Sequence, residues 1–254
     1  MSEREPLSPE AEIRRMSRRS FAWGAVATAA GYGIWKWIDS QGPSPKTGFS
    51  TSIPGPLRKV LDANGALASG LASNQNLSED YPRSAAGPPR TNGHVGLQSA
   101  VDLESYKVSL EGLGELKTIR LSDLTSLPKT EVVTKFKCVE GWSVIVQAAG
   151  VRFSDFLKAV HGTIEDLPPF AFLTTPDEEY YVGLDVKSLL HPQTLLAWEM
   201  DGKPLKPENG APIRLFVPTK YGIKNLKRVG TVRFQTERPT DYWFERGYDW
   251  YAGL

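Results

Sequence analysis

A chain of 254 residues has the length for one large domain or two small ones, with enough side chains for a genuine core. Its 30 Lys+Arg against 29 Asp+Glu leave a formal net charge of +1, which excludes nucleic acid as the main partner, because phosphate binding needs a basic surplus or a basic face. The 23 glycines and 19 prolines suit short strands joined by tight turns and place the chain in the α+β class, strand-rich.

In chain order, Ser17-Arg18-Arg19-Ser20-Phe21 forms a twin-arginine pattern ahead of a mildly apolar run to Ile38. Twin-arginine signals mark bacterial export, so residues 1–38 are an export signal or an N-terminal anchor in membrane contact. The run is rich in Ala and Gly, interrupted by Lys36, and near the lower length limit for crossing a bilayer. Ala27-Thr28-Ala29 fits a cleavage site but leaves a very short apolar core, so removal and retention both stay open.

Residues 39–89 are a tether, rich in Gly, Pro, Ser and Thr up to about Pro56. Within it, residues 57–71 have helical apolar spacing but contain Gly65 and Gly70, which predicts a short or broken helix.

Residues 90–254 read as a single domain of short alternating segments. Strands are expected over 106–110, 117–121, 131–138, from 144 onward, and over 170–174, 180–182, 195–200, 213–217 and 231–236. A capped helical turn is expected over 122–127, and a helix over 154–160 with Ser154 as its cap. Asp201-Gly202 is a hairpin turn signal.

The single cysteine, Cys138, excludes an intramolecular disulfide and falls where a strand ends and a glycine turn begins. In a cytosolic protein such a residue is most often a small buried hydrophobe. Outside the cytoplasm a free thiol is an oxidation liability unless it is buried or bonded, and a thiolate is a soft metal ligand held in a fixed direction by a strand end. Three other segments gather polar groups: Arg90-Thr91-Asn92-Gly93-His94, Asn209-Gly210-Ala211-Pro212-Ile213-Arg214, and the basic stretch 220–228. The last can hold a phosphate through its lysines and backbone N–H groups, or be a solvated basic loop.

Taken together, Cys138-Val139-Glu140-Gly141-Trp142-Ser143, residues 209–218, Lys220-Tyr221-Gly222-Ile223-Lys224 and residues 242–248 resemble the molybdopterin-binding domain of the sulfite oxidase and periplasmic methionine-sulfoxide reductase superfamily. The Arg90–His94 segment resembles that family's Arg-Asn-His element with one extra residue, and the likeness runs in order from about Arg90 to the C-terminus. The resemblance implies a single sulfite-oxidase-type domain and a molybdenum-molybdopterin cofactor whose metal is ligated by Cys138. It further implies that Arg90, Asn92, His94, Thr174, Asn209, Arg214 and the turn Lys224-Asn225-Leu226-Lys227 hold the pterin and its phosphate. Contacts of that phosphate with Lys227 and Arg214 are charge-assisted and worth about 1.5–3 kcal/mol each.

Glu140 is similar to the reductase branch, where sulfite oxidases carry a different run. It either tunes a metal-bound oxygen or proton, or is an exposed turn carboxylate. No haem-attachment cysteine pair occurs, and the likeness does not extend to the immunoglobulin-like dimerisation domain of sulfite oxidases. The reading is an exported, periplasmic oxidoreductase acting on a small-molecule or protein-bound S-oxide or N-oxide, fed by a membrane haem or cytochrome partner. The alternatives are sulfite oxidation, a non-catalytic tethered binding module, and a Cys-His hydrolase, which needs a histidine in reach of Cys138. Trp142, Tyr180, Tyr181, Lys220 and Tyr221 are candidates for a substrate mouth, and His161 and His191 are read as structural.

Overall fold

The computed structural model describes residues 9–41 and 53–253. Helix α1 (Pro9–Ser40) carries Arg18 and Arg19 and the whole apolar run, and exposes Phe21, Trp23, Trp35 and Trp37. Among the described residues no helix is long and apolar enough to cross a membrane. The stretch 42–52, most of the Gly/Pro-rich tether, lies outside the described residues.

Helix α2 (Gly55–Leu71) is continuous over 17 residues, not broken, with Pro56 in its first turn, where a missing N–H costs nothing. Gly65 marks a close approach: a Cβ there would lie 3.1 Å from both Asp249 Oδ1 and Tyr251 Cβ. Residues 80–87, expected as loop, lie along the domain, where Tyr81 N–H donates to Val133 O and Gly87 N–H to Ile145 O, each at 2.9 Å.

The domain then runs β1 (Lys107–Glu111), β2 (Lys117–Arg120), α3 (Leu121–Thr125), β3 (Thr130–Lys137), β4 (Ser143–Arg152), α4 (Phe153–His161), β5 (Phe170–Thr174), β6 (Tyr181–Asp185), α5 (Val186–Leu189), β7 (Leu195–Met200), β8 (Lys203–Pro204), β9 (Arg214–Phe216) and β10 (Thr231–Gln235). Among the described residues the strands form two sheets. One has the order β2-β1-β10-β5-β6, and the other β3-β4-β7-β8 with β9 on β7. Among the described strands only β1 and β10 pair in parallel.

Strand alternation decides where the core sits. Leu196 of β7 and Leu215 of β9 face Val108, Leu173, Val232 and the α4 residues Phe153, Phe156 and Leu157 in the main core. Leu195, Ala197 and Phe216 point the other way, into a smaller core with Val132, Val146 and Ala148. Strands β7 and β9 of the second sheet are therefore covered on both faces, which is why they read as apolar runs, while β3 alternates and β8 is exposed.

Two expected caps fall elsewhere. Helices α3 and α4 start directly from extended Arg120 and Arg152, neither of which makes a side-chain cap, and Ser122 and Ser154 sit inside the first turns. The cap the sequence reading missed is Asp185, whose carboxylate accepts the N–H of Ser188 at the start of α5. The expected hairpin between β7 and β8 is present, with Asp201 at φ 54° and Gly202 at φ 67°, as a type I′ turn requires.

At the register shift in β4, between Ala149 and Gly150, the neighbouring strand presses close: a Cβ on Gly150 would sit 2.0 Å from Leu196 O. Gly150→Ala therefore forces β4 and β7 apart, and we expect a loss of about 1–3 kcal/mol in denaturant unfolding, the range for overpacking.

Candidate functional site

Cys138 follows the last residue of β3. Its N–H donates to Trp142 O at 3.0 Å and its C=O accepts from Gly141 N–H at 3.1 Å, while Gly141 at φ 85° turns the chain into β4. The thiol is thereby fixed at the closed end of an eight-pair hairpin, 8% exposed, facing a cavity of about 320 Å³. That volume falls in the range of small-molecule sites.

Three groups of residues share the cavity with Cys138. The first is polar: Arg90 and Asn92 from the loop after Pro89, Glu140 from the hairpin turn, and Asn225 and Lys227 from the basic stretch. Asn92 Nδ2 and Trp142 Nε1 both donate to Glu140 Oε2, at 2.9 and 2.8 Å. The Trp142 indole and the Asn92 amide, with Arg90 nearby, hold the Glu140 carboxyl below the usual range. Glu140 is thus an exposed turn carboxylate, yet one fixed by two cavity-lining donors.

The second is the buried guanidinium of Arg214. It reaches Asn209 O at 3.1 Å and Asn225 O at 3.4 Å, its Nε has no partner, and burial pulls its pKa down to about 10. Lys227 Nζ donates to the carbonyls of Asn92 (2.6 Å) and Gly93 (3.1 Å), and burial, followed by the Arg214 charge, lowers it to about 8. Among the described residues no carboxylate hydrogen-bonds to either cation. Two desolvated cations with no carboxylate hydrogen-bonded to them, one with an orphaned N–H, make a site that favours an anion, although Glu140 shares the cavity and Glu208 acts on Lys227 through its charge.

The third group is aromatic: Phe136, Tyr180, Tyr242, Trp243 and Tyr248. Tyr180 hydroxyl donates to Ile223 O at 2.7 Å and accepts from Trp243 Nε1 at 3.0 Å. Burial raises its pKa well above the ordinary phenol value, so it keeps its proton. Trp243 stacks edge-on against Tyr242 and Tyr248, with centroids at 5.3 and 5.1 Å.

Five residues expected at a cofactor do not line the cavity. His94 is exposed on the loop. Thr174 turns its hydroxyl to Thr175 O and Tyr180 O. Asn209 contributes its carbonyl to Arg214 rather than its amide to the cavity. Leu226 is core, and its C=O accepts from Leu215 N–H.

Lys224 is fully buried with Asp241 at 2.7 Å and Gly183 O at 2.9 Å. The basic stretch is consequently not a solvated loop: Lys220 bonds Asp185 and Tyr251 O, and Arg228 reaches Ser99 O and Ala211 O. Around Lys220, desolvation would raise the Asp185 carboxyl, but the Lys220 ammonium and Ser188 outweigh it and leave it below its usual range.

Of the expected mouth residues, Trp142 and Tyr180 line the cavity, whereas Tyr181, Lys220 and Tyr221 do not. Residues 242–248 carry part of the family resemblance, but the place of Tyr242, Trp243 and Tyr248 on the cavity does not follow from it; the signal for it is the run of four aromatics and a glycine. None of the three histidines lines the cavity, and buried His191 accepts the N–H of Gln193.

Among the described residues no three His, Cys, Asp or Glu are grouped to hold a metal. One thiol with two unpaired cations fits a metal that brings its other donors with it on an anionic organic ligand, and does not fit an all-protein metal cage.

Comparison with known proteins agrees with this chemistry. The oxidoreductase molybdopterin binding domain family matches residues 94–243. A putative protein-methionine-sulfoxide reductase subunit YedZ1 from Azospira oryzae is 33% identical over 80% of this chain and 78% of its own. A protein-methionine-sulfoxide reductase catalytic subunit MsrP from Campylobacter jejuni is 34% identical over 59% of this chain and 55% of its own, so the chain spans about half the length of that relative. The sulfane dehydrogenase SoxCD from Paracoccus pantotrophus shares the fold, with TM-score 0.51 and 17% identity over 65% of this chain and 46% of that one.

Two outcomes follow from the charges. Sulfate, divalent across the range, binds best while Lys227 is protonated, so its affinity by calorimetry is highest below pH about 8 and falls as pH rises through that value. Lys224→Met leaves Asp241 buried without its cation and lowers stability by about 3–5 kcal/mol in thermal or denaturant unfolding, the usual result of halving a buried pair.

Proposed function

The chain belongs to the oxidoreductase molybdopterin-binding domain family, and on that premise we propose that it is an exported oxidoreductase that reduces an S-oxide to a sulfide. The observation that carries this reading is the placement of the only thiol, Cys138, in one cavity with Arg214 and Lys227, two cations to which no carboxylate hydrogen-bonds. When bound, molybdenum-molybdopterin supplies two-electron oxygen-atom transfer at a site that Cys138 Sγ completes as a ligand. The net change takes two electrons and two protons and turns the S=O group into sulfide and water.

The chain's own residues bind and orient. Arg214 and Lys227 hold the anionic end of the cofactor, and Asn225 fixes the turn beside them, its Oδ1 accepting Val217 N–H at 2.6 Å and its Nδ2 donating to Tyr221 O at 3.1 Å. Glu140 stays anionic and aligns Asn92 and Trp142 next to the thiol. Tyr180 keeps its hydroxyl proton close to Cys138, and Trp243 and Tyr248 exclude water at the entrance.

The names of the relatives, reductase subunits for methionine sulfoxide in proteins, favour an S-oxide. Glu140 in the hairpin turn favours the reductase branch over sulfite oxidation. A Cys-His hydrolase lacks a histidine beside Cys138, and retention of the thiol counts against a non-catalytic module. Export follows the Arg18-Arg19 signal to the periplasm or the outer face of the membrane, where a membrane-bound haem or cytochrome partner returns the electrons.

Cys138→Ala keeps the fold, since it removes one atom from a cavity wall. In protein matured with molybdenum available, we expect elemental analysis to show strongly reduced metal and methionine-sulfoxide turnover to fall to background. Substantial turnover in that variant, or no molybdenum in the natural protein, overturns the assignment.

A further inference from the structure

Arg58 lies on α2 and does not line the cavity, yet it is only 3% exposed. Its guanidinium donates to two carbonyls of the C-terminal segment, Nη1 to Tyr248 O at 2.9 Å and Nη2 to Phe244 O at 3.0 Å, and lies 4.2 Å over the Phe244 ring. Two further contacts press the helix region on the same segment. Ile53 fills the space at Gly247, where φ is 100° and a Cβ would be 2.8 Å from Ile53 Cδ1, and Gly65 meets Asp249 and Tyr251. Asp62 adds an ion pair to Arg238 at 3.2 Å. The segment held in this way carries Trp243 and Tyr248 on the cavity, and Tyr248 is also exposed, so this is the mouth.

We infer that Arg58 is a positioning residue for substrate selection: by clamping the Phe244–Tyr248 backbone it sets where Trp243 and Tyr248 stand, and so how the mouth receives the bulky part of an S-oxide substrate. The inference rests on the proposed S-oxide reduction. Arg58, Phe244 and Tyr248 lie outside the matched span 94–243, and Trp243 is its last residue. The acceptors are backbone carbonyls, so the clamp depends on the planar two-pronged geometry of a guanidinium and not on charge alone. Trp243 and Tyr248 form one edge-on pair with centroids 5.1 Å apart, so the substrate passes beside this pair and not between its rings. Dimethyl sulfoxide has nothing beyond its methyl groups to lay against it, whereas the chain flanking a peptide-borne methionine sulfoxide does.

The test uses the full, cofactor-loaded chain with two substrates, dimethyl sulfoxide and a methionine-sulfoxide peptide, alongside backbone amide exchange. In Arg58→Met the KM for the peptide rises about tenfold with kcat within about twofold, while the KM for dimethyl sulfoxide is unchanged, the pattern of lost binding at a site remote from the chemistry. Exchange across residues 244–248 speeds up while residues 138–146 keep their protection. Arg58→Lys, which reaches one carbonyl, falls between. Should Arg58→Met not fold, Ile53→Ala, which empties the contact that Ile53 Cδ1 makes at Gly247, shows the same split at about threefold.

Equal effects on both substrates, a fall confined to kcat, or unchanged exchange at 244–248 overturns the inference. If the natural enzyme turns over neither S-oxide, the proposed function fails instead, and the exchange measurement still decides whether Arg58 holds the segment.

Discussion

The site depends on the buried contact between Lys224 and Asp241. Lys224 comes from the turn that also carries Asn225 and Lys227, and Asp241 opens the segment that carries Tyr242 and Trp243. Asp241 uses its other oxygen to accept the N–H groups of Trp243 and Phe244, at 3.0 Å each, so one carboxylate both pairs the cation and shapes the aromatic turn. Lys220 repeats the device a few residues earlier, tying the same stretch to Tyr251 O. Ion pairs of this depth seldom add net stability over an apolar alternative, but they fix register, because a shifted partner leaves a bare charge in the interior. Here the register sets the distance between the cationic and aromatic walls of the cavity.

That constraint explains what was legible in the sequence. Strands with strict alternation or unbroken apolar runs, such as residues 170–174 and 195–200, could be read to the residue, and the Asp201-Gly202 turn follows from backbone preferences alone. The position of Cys138 at a strand end was equally local. Whether a lysine faces a cavity or a carboxylate dozens of residues away is not local information. Lys220, Lys224 and Lys227 look alike on the page, yet only Lys227 reaches the cavity, because Asp185 and Asp241 draw in the other two. Gly65 misled for a similar reason: a glycine that permits close packing of a helix reads, in isolation, like one that breaks it.

The cavity also divides by rigidity. Cys138 and Glu140 sit on a two-stranded hairpin embedded in a sheet, so the thiol direction is set by eight residue pairs. Arg214 starts β9 and shares that scaffold. The opposing walls are loops and turns, held by side chains reaching main-chain carbonyls: Lys227 to Asn92 and Gly93, Arg58 to Phe244 and Tyr248. A scaffold of this kind places the chemistry on the rigid half and leaves recognition to the half whose shape a few substitutions can change.

The reach of Arg58 to Phe244 has a consequence for how the molecule is made. The two residues are 186 positions apart, so at ordinary translation speeds α2 waits about 10–40 s for its partner to leave the ribosome. Over about the second half of that interval the hairpin with its thiol can already be paired while the aromatic wall does not yet exist. Biosynthesis therefore passes through a stage in which the thiol-bearing wall stands alone, and α2 keeps its guanidinium without the two carbonyls that later cover it.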